Sequence, residues 1–322
     1  DRLVRFTLQL FPVYTALTLV LWVALLVAGD KGVNGLILAM GTLSTSGIVG
    51  HSAPGAEASG MVGEGLILAF LLFAITRQAL PTPGPVRTVR SLLGDVELQL
   101  AAAIILGVTM ILFLRHWIAV DAGVAPVEDA NALPSLWGVL FTVTSFLTTT
   151  GYISSEWQSG TAWSGIGTPG LVLLGLAIIG GGTATTAGGV KLLRVYALLR
   201  HGERELEKII HPNSLGRGGP EARRLRRDGA QLAWIFFMLF AVSIAVTTAL
   251  LTLFGVEFEP ALVLAIATLT TTGPLAEVGA AEPIAYEALS ASVKVLLGLA
   301  MIVGRLETLA LLALILPGRL RG

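Results

Sequence analysis

Leu147-Thr-Thr-Thr-Gly151 is one of three near-identical stretches in this chain. The other two are Leu43-Ser-Thr-Ser-Gly47 and Leu269-Thr-Thr-Thr-Gly273. Each follows a short apolar segment and ends in glycine, the residue that most readily adopts left-handed backbone angles. Because similar stretches at similar places in a chain indicate an internal repeat, the three motifs predict a fold of three related units of roughly 100 residues each.

The composition of the 322 residues indicates a membrane protein. Hydrophobic residues make up 54% of the chain and charged residues 13%, and the mean hydropathy is +0.81. The net charge is zero, so no overall field favours nucleic acid. The absence of cysteine excludes disulfides and thiolate metal sites, and the four histidines show no metal-ligand spacing. We therefore expect no covalently bound cofactor.

Apolar segments alternate in length along the chain. Segments of about 20 residues can cross a hydrocarbon layer of roughly 30 Å, and six are predicted to do so: 7–28, 58–76, 98–120, 168–200, 231–254 and 290–316. Shorter apolar stretches end at the glycine motifs and predict re-entrant pore helices at 34–46, 135–149 and 258–271. The expected fold is an all-α membrane protein built from repeated units of span, pore helix and span.

The charges predict the orientation of these units. Lys and Arg concentrate in alternate connections, which are expected to be cytoplasmic, and the glycine motifs fall on the opposite, acidic side. The expected divisions are 1–80, 81–200 with a broken inner helix, a basic cytoplasmic loop at 201–229, and 230–322. Pro81-Thr-Pro-Gly-Pro85 predicts a hinge between the first two units. The basic loop faces either a cytosolic partner or anionic lipid, unless it is merely a solvated run of charge.

The glycine motifs have the chemistry of a cation filter. A cation that loses its water requires a ring of oxygen dipoles, which backbone carbonyls supply, and Ser and Thr hydroxyls can pin the loop to its pore helix. The alternative is that the motifs only terminate short helices. The candidate ion-binding residues are Thr45, Ser46, Gly47, Thr149, Thr150, Gly151, Thr271, Thr272 and Gly273.

A second unusual segment lies near the end of the fourth predicted span, Gly180-Gly-Gly-Thr-Ala-Thr-Thr-Ala-Gly-Gly189. Because glycine costs about 1 kcal/mol per helical position relative to alanine, the helix is predicted to break here, beneath the second filter motif. The alternative is close helix packing through small residues. The candidate gating residues are Gly180, Gly181, Gly182, Thr183, Thr185, Thr186, Gly188, Gly189, Lys191 and Arg305.

Arg305 joins this set because it lies inside the last apolar segment, where a charge is costly and tends to face water or the protein interior. We expect it to face the pore below the filter, as a barrier to cations or in contact with the glycine-rich segment. The alternatives are an ion pair near the helix end, for example with Glu307, or an arginine that reaches the cytoplasmic interface.

These motifs, together with His211-Pro212 and Gly304-Arg-Leu-Glu307, resemble the Trk/Ktr/HKT superfamily of potassium transporters, in particular the bacterial TrkH type. The resemblance covers essentially the whole chain and keeps the family's motif order. It implies a multi-pass K⁺-uptake subunit of the bacterial inner membrane, with four repeats around one pseudo-fourfold cation pore. It also implies K⁺ at the filter carbonyls, a homodimer, and gating by a cytosolic nucleotide-binding ring protein like TrkA.

By this resemblance, Gly47, Gly151 and Gly273 are the filter glycines of the second, third and fourth repeats. The segment 180–189 corresponds to the intramembrane gating loop of the third repeat, Lys191 to its closing lysine, and Arg305 to the basic pore residue of the fourth repeat. The first repeat has no counterpart, so we expect a longer protein or a second chain that completes the pore. Pro274 after the last filter glycine lacks an amide proton and predicts an asymmetric filter.

Two other functions are compatible with a helical membrane protein. A Na⁺-permeable or Na⁺/K⁺-coupled secondary transporter of the same fold is the alternative, although secondary transporters usually have inverted repeats. An intramembrane enzyme would need a nucleophile with a base, or paired acids, within the spans. Glu64, Arg305 and Glu307 lie near or within spans but form no such set, so an enzyme is not expected.

Overall fold

The computed structural model describes residues 2–76, 94–121, 132–210 and 220–306, and all regular structure within these ranges is helical. The hinge predicted at 81–85 and the dipeptide His211-Pro212 lie outside them. The helices are α1 (Arg2–Ala28), α2 (Gly32–Ser44), α3 (Gly60–Ile75), α4 (Val96–Asp121), α5 (Ala132–Leu147), α6 (Trp157–Ser164), α7 (Pro169–Ile179), α8 (Leu192–Ile210), α9 (Pro220–Leu253), α10 (Phe258–Leu269), α11 (Leu275–Val278) and α12 (Ala291–Arg305), with a 3₁₀ turn at Tyr286–Ala288.

Three of these helices are long and apolar enough to cross a membrane: α1 over Leu10–Ala28, α4 over its whole length, and α9 over Gly229–Leu253. Only 11% of the apolar window of α1 is buried, and 17% of that of α9. Apolar side chains that the protein does not cover are suited to lipid, since a helix that is hydrophobic on all sides is buried or spans a membrane. These helices match three of the six predicted spans.

The other predicted spans differ from the structure. The segments predicted at 58–76 and 290–316 contain the shorter helices α3 and α12, and residues beyond 306 lie outside the described ranges. The crossing predicted over 168–200 is interrupted, because α7 ends at Ile179 and α8 begins at Leu192. The break predicted from the glycine content of 180–189 therefore exists, and close packing of an intact helix is excluded there.

Helix α6 is not among the elements predicted from the sequence. Together with α7 it forms a pair bent by 115°. Trp163 of α6 stacks on His116 of α4 at 3.8 Å between ring centroids, and Arg115 donates to the Ser164 carbonyl over 2.7 Å. The eight residues of α6 are weakly apolar and short, which left no periodic signal to predict it.

The three predicted pore helices are α2, α5 and α10, and they form the buried centre of the fold. Helix α2 packs in a core cluster with α1 and α3, and α5 packs with α4 and α7. Helix α10 contributes to a third cluster with α9 and α12, and its residues from Val263 to Leu269 are all buried. Each pore helix is thus covered by longer or flanking helices, which positions the three glycine motifs inside the protein.

Candidate ion-conduction site

The pore helices α2, α5 and α10 all end in the same backbone turn. In α2 the N–H of Thr45 donates to the carbonyl three residues earlier, and the N–H of Ser46 to the carbonyl five residues earlier. Helices α5 and α10 repeat both bonds at Thr149 and Thr271 and at the residues that follow them, with N···O distances between 2.8 and 3.2 Å. This pair of bonds is the Schellman motif that closes many helices.

Threonine occupies the left-handed position of each turn, where glycine is usual. The φ angles are 50° at Thr45, 56° at Thr149 and 57° at Thr271. Because a side chain in the left-handed region costs roughly 1–2 kcal/mol, glycine would be the more stable choice for the backbone alone. Three equivalent outliers of this kind indicate that the threonine side chains have a role.

Two of these three hydroxyls contact the segment Gly180–Lys191, which we call the glycine-rich loop. Thr45 Oγ1 donates to the Thr186 carbonyl over 2.8 Å, and Thr149 Oγ1 accepts from the Gly188 N–H over 2.6 Å. The Thr271 hydroxyl is buried and has no hydrogen-bond partner in the described structure. The helix ends therefore lie directly against the loop.

The residues between the left-handed threonines and the glycines are also engaged within the protein. Thr272 Oγ1 donates to the Thr149 carbonyl over 3.3 Å, which joins the second and third motifs. The Thr150 hydroxyl pairs with that of Thr148 at 3.2 Å, and Ser46 Oγ accepts from Ser44 Oγ over 3.1 Å. These hydroxyl groups hold the backbone of the motifs in place.

Only glycine fits at positions 47 and 151, because the backbone angles and the close neighbours both exclude a side chain. Their φ angles are +64° and +83°. A Cβ atom on Gly47 would lie 2.1 Å from the Thr150 carbonyl oxygen, and one on Gly151 would lie 2.9 Å from Thr272 Cγ2. The structure therefore brings the first and second motifs into contact, and the second and third, with no room for a side chain.

Gly273 differs from the other two motif glycines. It has no positive φ, and a Cβ atom would meet nothing within 4 Å. Its carbonyl accepts from the Ala276 N–H over 3.2 Å and from the Tyr286 hydroxyl over 2.9 Å. After Pro274 the chain turns at once into the short helix α11. The predicted asymmetry at Pro274 is thus visible in the backbone, and both lone pairs of this carbonyl are directed at protein donors.

The glycine-rich loop is bonded to elements from every part of the described chain. The Gly182 N–H and the Thr185 hydroxyl both donate to the Ala74 carbonyl at the end of α3, each over 3.0 Å. The Thr183 N–H donates to the Glu97 carboxylate of α4 over 2.7 Å, and the Thr186 hydroxyl to the Leu43 carbonyl over 3.1 Å. The loop is therefore docked rather than loosely placed.

The glycines of this loop allow that close approach. A Cβ atom on Gly182 would lie 1.9 Å from the Ile75 carbonyl oxygen, and one on Gly188 would lie 2.1 Å from that of Thr270. A Cβ on Gly181 would meet Ala187 Cβ at 2.5 Å. The two ends of the loop adopt positive φ, with 74° at Gly180 and 78° at Gly189.

Two basic residues are predicted to take part in gating. Lys191 is the last residue of the loop, and Arg305 contacts the loop from α12. Lys191 is 5% exposed, and its Nζ donates to the Ala187 carbonyl over 2.6 Å. Arg305 at the end of α12 donates to the Thr186 carbonyl over 2.7 Å and to the Ser44 carbonyl over 3.1 Å. The predicted contact of Arg305 with the glycine-rich segment is present. The suggested partner Glu307 lies outside the described residues.

Glu64 is a structurally important residue to which the sequence analysis gave no role. It is fully buried in α3 and accepts hydrogen bonds from Trp137 Nε1 and Ser154 Oγ, each over 2.7 Å, and from the Ser155 N–H over 2.8 Å. It thereby fixes the segment that follows Gly151 to the preceding unit. A carboxylate in an apolar helix signals such a role, because an unsatisfied buried charge is costly.

Glu57 and Tyr286 lie outside the membrane-spanning helices and have shifted pKa values. The backbone N–H of Lys31, followed by the Ser52 hydroxyl, lowers the pKa of the Glu57 carboxyl below its usual range. Burial, together with the charge of Glu277, raises the pKa of Tyr286 to about 12. The Tyr286 hydroxyl is therefore neutral at physiological pH and remains a donor to Gly273.

An all-helical fold with long apolar helices, and with three short apolar helices that end against a glycine-rich loop, defines a helical membrane protein. The family model named TrkH, described as a cation transport protein, matches residues 66–317. This chain belongs to the TrkH family of cation transport proteins, as the sequence resemblance predicted.

Known relatives are consistent with this family. The Trk system potassium uptake protein TrkH of Salmonella typhimurium is 27% identical over 319 residues, which are 98% of this chain and 62% of the relative. TrkH of Escherichia coli K12 is 31% identical over 58% of this chain and 37% of its own length. The chain thus spans less than two thirds of these relatives.

A solved structure shares the fold. The crystal structure of the potassium transporter TrkH from Vibrio parahaemolyticus superposes with a TM-score of 0.78 at 23% sequence identity, over 100% of this chain and 66% of that one. The likeness confirms the expected all-α membrane architecture.

Proposed function

We propose that this chain forms part of a K⁺-uptake protein that conducts K⁺ through the three glycine motifs. The observation that carries the proposal is the identical left-handed ending of α2, α5 and α10, with Gly47 packed against the second motif and Gly151 against the third. Carbonyls in such a segment can replace the water of a cation, and the negative ends of the pore-helix dipoles favour it. The names of the relatives, potassium uptake proteins, support K⁺ as the permeant ion.

The proposed organisation is three pore repeats, at 1–80, 81–200 and 230–322, with the basic segment 201–229 between the last two. They correspond to the second, third and fourth quarters of a pseudo-fourfold pore. A first quarter is supplied either by the remainder of a longer protein or by another subunit. The relatives' greater length supports the first of these.

The proposed gate is the glycine-rich loop. In its docked position it is bonded to the ends of α2 and α5 and held by Arg305. Because α8 follows the loop directly, a force on α8 and the basic segment 201–229 would withdraw it. A cytosolic nucleotide-binding ring protein of the TrkA kind, acting on a homodimer in the bacterial inner membrane, would supply that force.

Gly273 favours a second candidate, a Na⁺-permeable or Na⁺/K⁺-coupled transporter of the same fold. Its carbonyl is already bonded to Tyr286 and Ala276. A filter with one engaged carbonyl offers fewer oxygen dipoles, and the number of coordinating carbonyls is one proposed source of K⁺ selectivity.

Flux through the full-length protein in liposomes tests both candidates. K⁺, Na⁺ and Rb⁺ fluxes are compared for the wild type, for Gly151→Ser, and for Gly107→Ala as a control in α4 where an added Cβ meets nothing within 4 Å. K⁺ conduction predicts a K⁺ preference that Gly151→Ser abolishes and Gly107→Ala keeps. Equal K⁺ and Na⁺ fluxes that Gly151→Ser leaves unchanged would contradict the filter assignment, and K⁺ flux that requires a Na⁺ gradient would favour the coupled transporter.

A further inference from the structure

A cavity of about 550 Å³ lies between helices α8 and α9, beside the glycine-rich loop. Its walls include three arginines of α8, Arg194, Arg200 and Arg204, and the loop residue Thr183. Gly229, Ala230 and Ala233 of α9 form the facing wall. Because these three residues are small, the two helices leave an opening between them that larger side chains would fill.

The charge of this α8–α9 cavity is positive. Arg200 is paired with Glu203 at 2.8 Å, and both side chains are more than half exposed. Arg194 lies over the Phe236 ring with its guanidinium 3.7 Å from the ring centroid. Arg204 is half-buried and makes no hydrogen bond or ion pair with any residue in the described ranges. A half-buried guanidinium without a partner is suited to a planar oxyanion, which it can bind through two parallel hydrogen bonds.

The position of the cavity is the cytoplasmic boundary of the membrane. The apolar span of α9 begins at Gly229, which lines the cavity, and the excess of Lys and Arg around 201–229 marks this side as cytoplasmic. On α9, Leu232 also lines the cavity and is 52% exposed. A basic opening with an exposed apolar face beside it matches a phosphate headgroup with acyl chains.

We propose that this cavity binds the phosphate headgroup of an anionic phospholipid from the cytoplasmic leaflet, with the acyl chains along α9. Arg204 and Arg194 contact the phosphate, and Leu232 contacts an acyl chain. The cavity is present when the glycine-rich loop is docked. A lipid that binds the cavity more tightly in this docked state than in the state with the loop withdrawn therefore stabilises the docked state, by the difference between its two binding free energies. The regulatory part of this inference rests on the proposed gating function, whereas the binding part does not.

Lipid binding is tested without any flux measurement. The full-length protein, purified in detergent, is washed and its retained phosphatidylglycerol is counted by native mass spectrometry. We expect Arg204→Gln to lose about one phosphatidylglycerol per protomer, because a headgroup contact is removed. Ala233→Leu, which fills the cavity without changing the charge, is expected to lose the same molecule. Lys31→Gln, which removes an 85% exposed charge at the opposite face, serves as the control and retains it.

Three results would overturn the lipid site. Unchanged phosphatidylglycerol retention in both Arg204→Gln and Ala233→Leu removes the cavity as the binding place. Equal loss in Lys31→Gln shows only nonspecific attraction. If millimolar inorganic phosphate displaces the lipid, and the wild type retains no more phosphatidylcholine than the variants do, the site binds soluble phosphate instead.

Regulation is tested by K⁺ flux in liposomes of phosphatidylcholine with and without phosphatidylglycerol. Wild type is expected to conduct less with phosphatidylglycerol in the absence of a cytosolic regulator, and Arg204→Gln to lose this dependence. Lipid retention that depends on Arg204, combined with flux that does not respond to phosphatidylglycerol, would overturn the regulation and leave the binding site intact. Absence of any K⁺ flux in the wild type would instead contradict the proposed function.

Discussion

At the scale of single residues, threonine stands at three left-handed positions where glycine would make the backbone more stable. Glycine would remove roughly 1–2 kcal/mol of strain at each position. It would also remove the hydroxyls of Thr45 and Thr149 that bond to the glycine-rich loop. Strain that persists at equivalent positions of three helices is consistent with a role in function rather than in folding.

Thr149→Ala and Thr271→Ala form a matched pair that tests this role. Both keep the left-handed strain, but only Thr149→Ala removes a bond to the loop, worth about 1 kcal/mol. We expect unregulated K⁺ flux in liposomes to rise about fivefold in Thr149→Ala. A loss of about 1 kcal/mol changes the equilibrium between the docked and the withdrawn loop by this factor. Thr271→Ala is expected to remain near the wild-type level. Equal increases in both variants would show that the hydroxyl bond does not hold the loop.

Tyr286→Phe tests whether the engaged Gly273 carbonyl limits selectivity. The variant removes the hydroxyl that donates to this carbonyl, so one lone pair of the Gly273 oxygen becomes available to a cation in the filter. We expect the K⁺/Na⁺ permeability ratio, measured as reversal potential in planar bilayers, to rise. A ratio that falls would mean that Tyr286 positions the carbonyl for the ion rather than withdrawing it.

The pH dependence of the same bond follows from the raised pKa of Tyr286. The phenol has an ordinary pKa of 10.0 and about 12 in the folded protein, so the folded state holds the proton more tightly. The stability from this group is complete below pH 10 and is lost as the pH rises through about 12. The permeability ratio of the wild type is therefore expected to be constant between pH 7 and pH 9.

At the scale of elements, the glycine-rich loop is a docked segment whose fit depends on the absence of side chains. Gly188 illustrates this, because an added Cβ would lie 2.1 Å from the Thr270 backbone oxygen at the end of α10. Backbone atoms cannot give way as a flexible side chain can. One methyl group is therefore enough to separate the loop from the pore helix.

Gly188→Ala is expected to raise unregulated K⁺ flux, because the loop cannot dock without displacing the end of α10. Gly175→Ala in α7 is the control, since its Cβ would meet nothing within 4 Å and alanine favours a helix. The loop position is checked directly by limited proteolysis, with faster cleavage near 183–187 in Gly188→Ala alone. Unchanged cleavage and flux would exclude the loop as the gate.

The positions of the helices could be predicted from the sequence better than the hydrogen bonds between them. Short apolar stretches that end at the glycine motifs located α2, α5 and α10, although the Schellman turns end these helices about two residues before the predicted boundaries. The break at 180–189 followed from glycine content, which opposes helix in any context. The bonds from this loop to Ala74 and Glu97 could not be predicted, because they join residues distant in the chain and depend on how the units pack.

At the scale of the whole molecule, charge separates the two faces. The exposed Lys31 and Glu282 and the largely covered Glu57 lie in connections on the side of the glycine motifs, whereas Arg200 and Arg204 lie beyond the loop on the other side. The positive-inside rule assigns the arginine side to the cytoplasm. The chain has no cysteine, so single introduced thiols can report the orientation without background.

Single-cysteine labelling of the full-length protein in intact cells tests this orientation, on a background in which any other cysteines are replaced. Cysteine at the exposed position Ala285 is expected to react with a membrane-impermeant maleimide from outside. Cysteine at the exposed position His201 is expected to react only after permeabilisation. Accessibility of both positions from the same side would refute the assignment of faces and, with it, the cytoplasmic lipid cavity.

The anchoring of the loop by Arg305 also bears on the order in which the protein is made. Arg305 bonds to the Ser44 carbonyl across 261 positions of sequence, so this contact forms only when α12 has been synthesised and inserted. Contacts of such separation form late in folding, because the intervening chain must be ordered first. During biogenesis, therefore, the loop gains its Arg305 anchor only after α12 has been inserted, and the resistance of a nascent chain to ion leakage increases with the insertion of that helix.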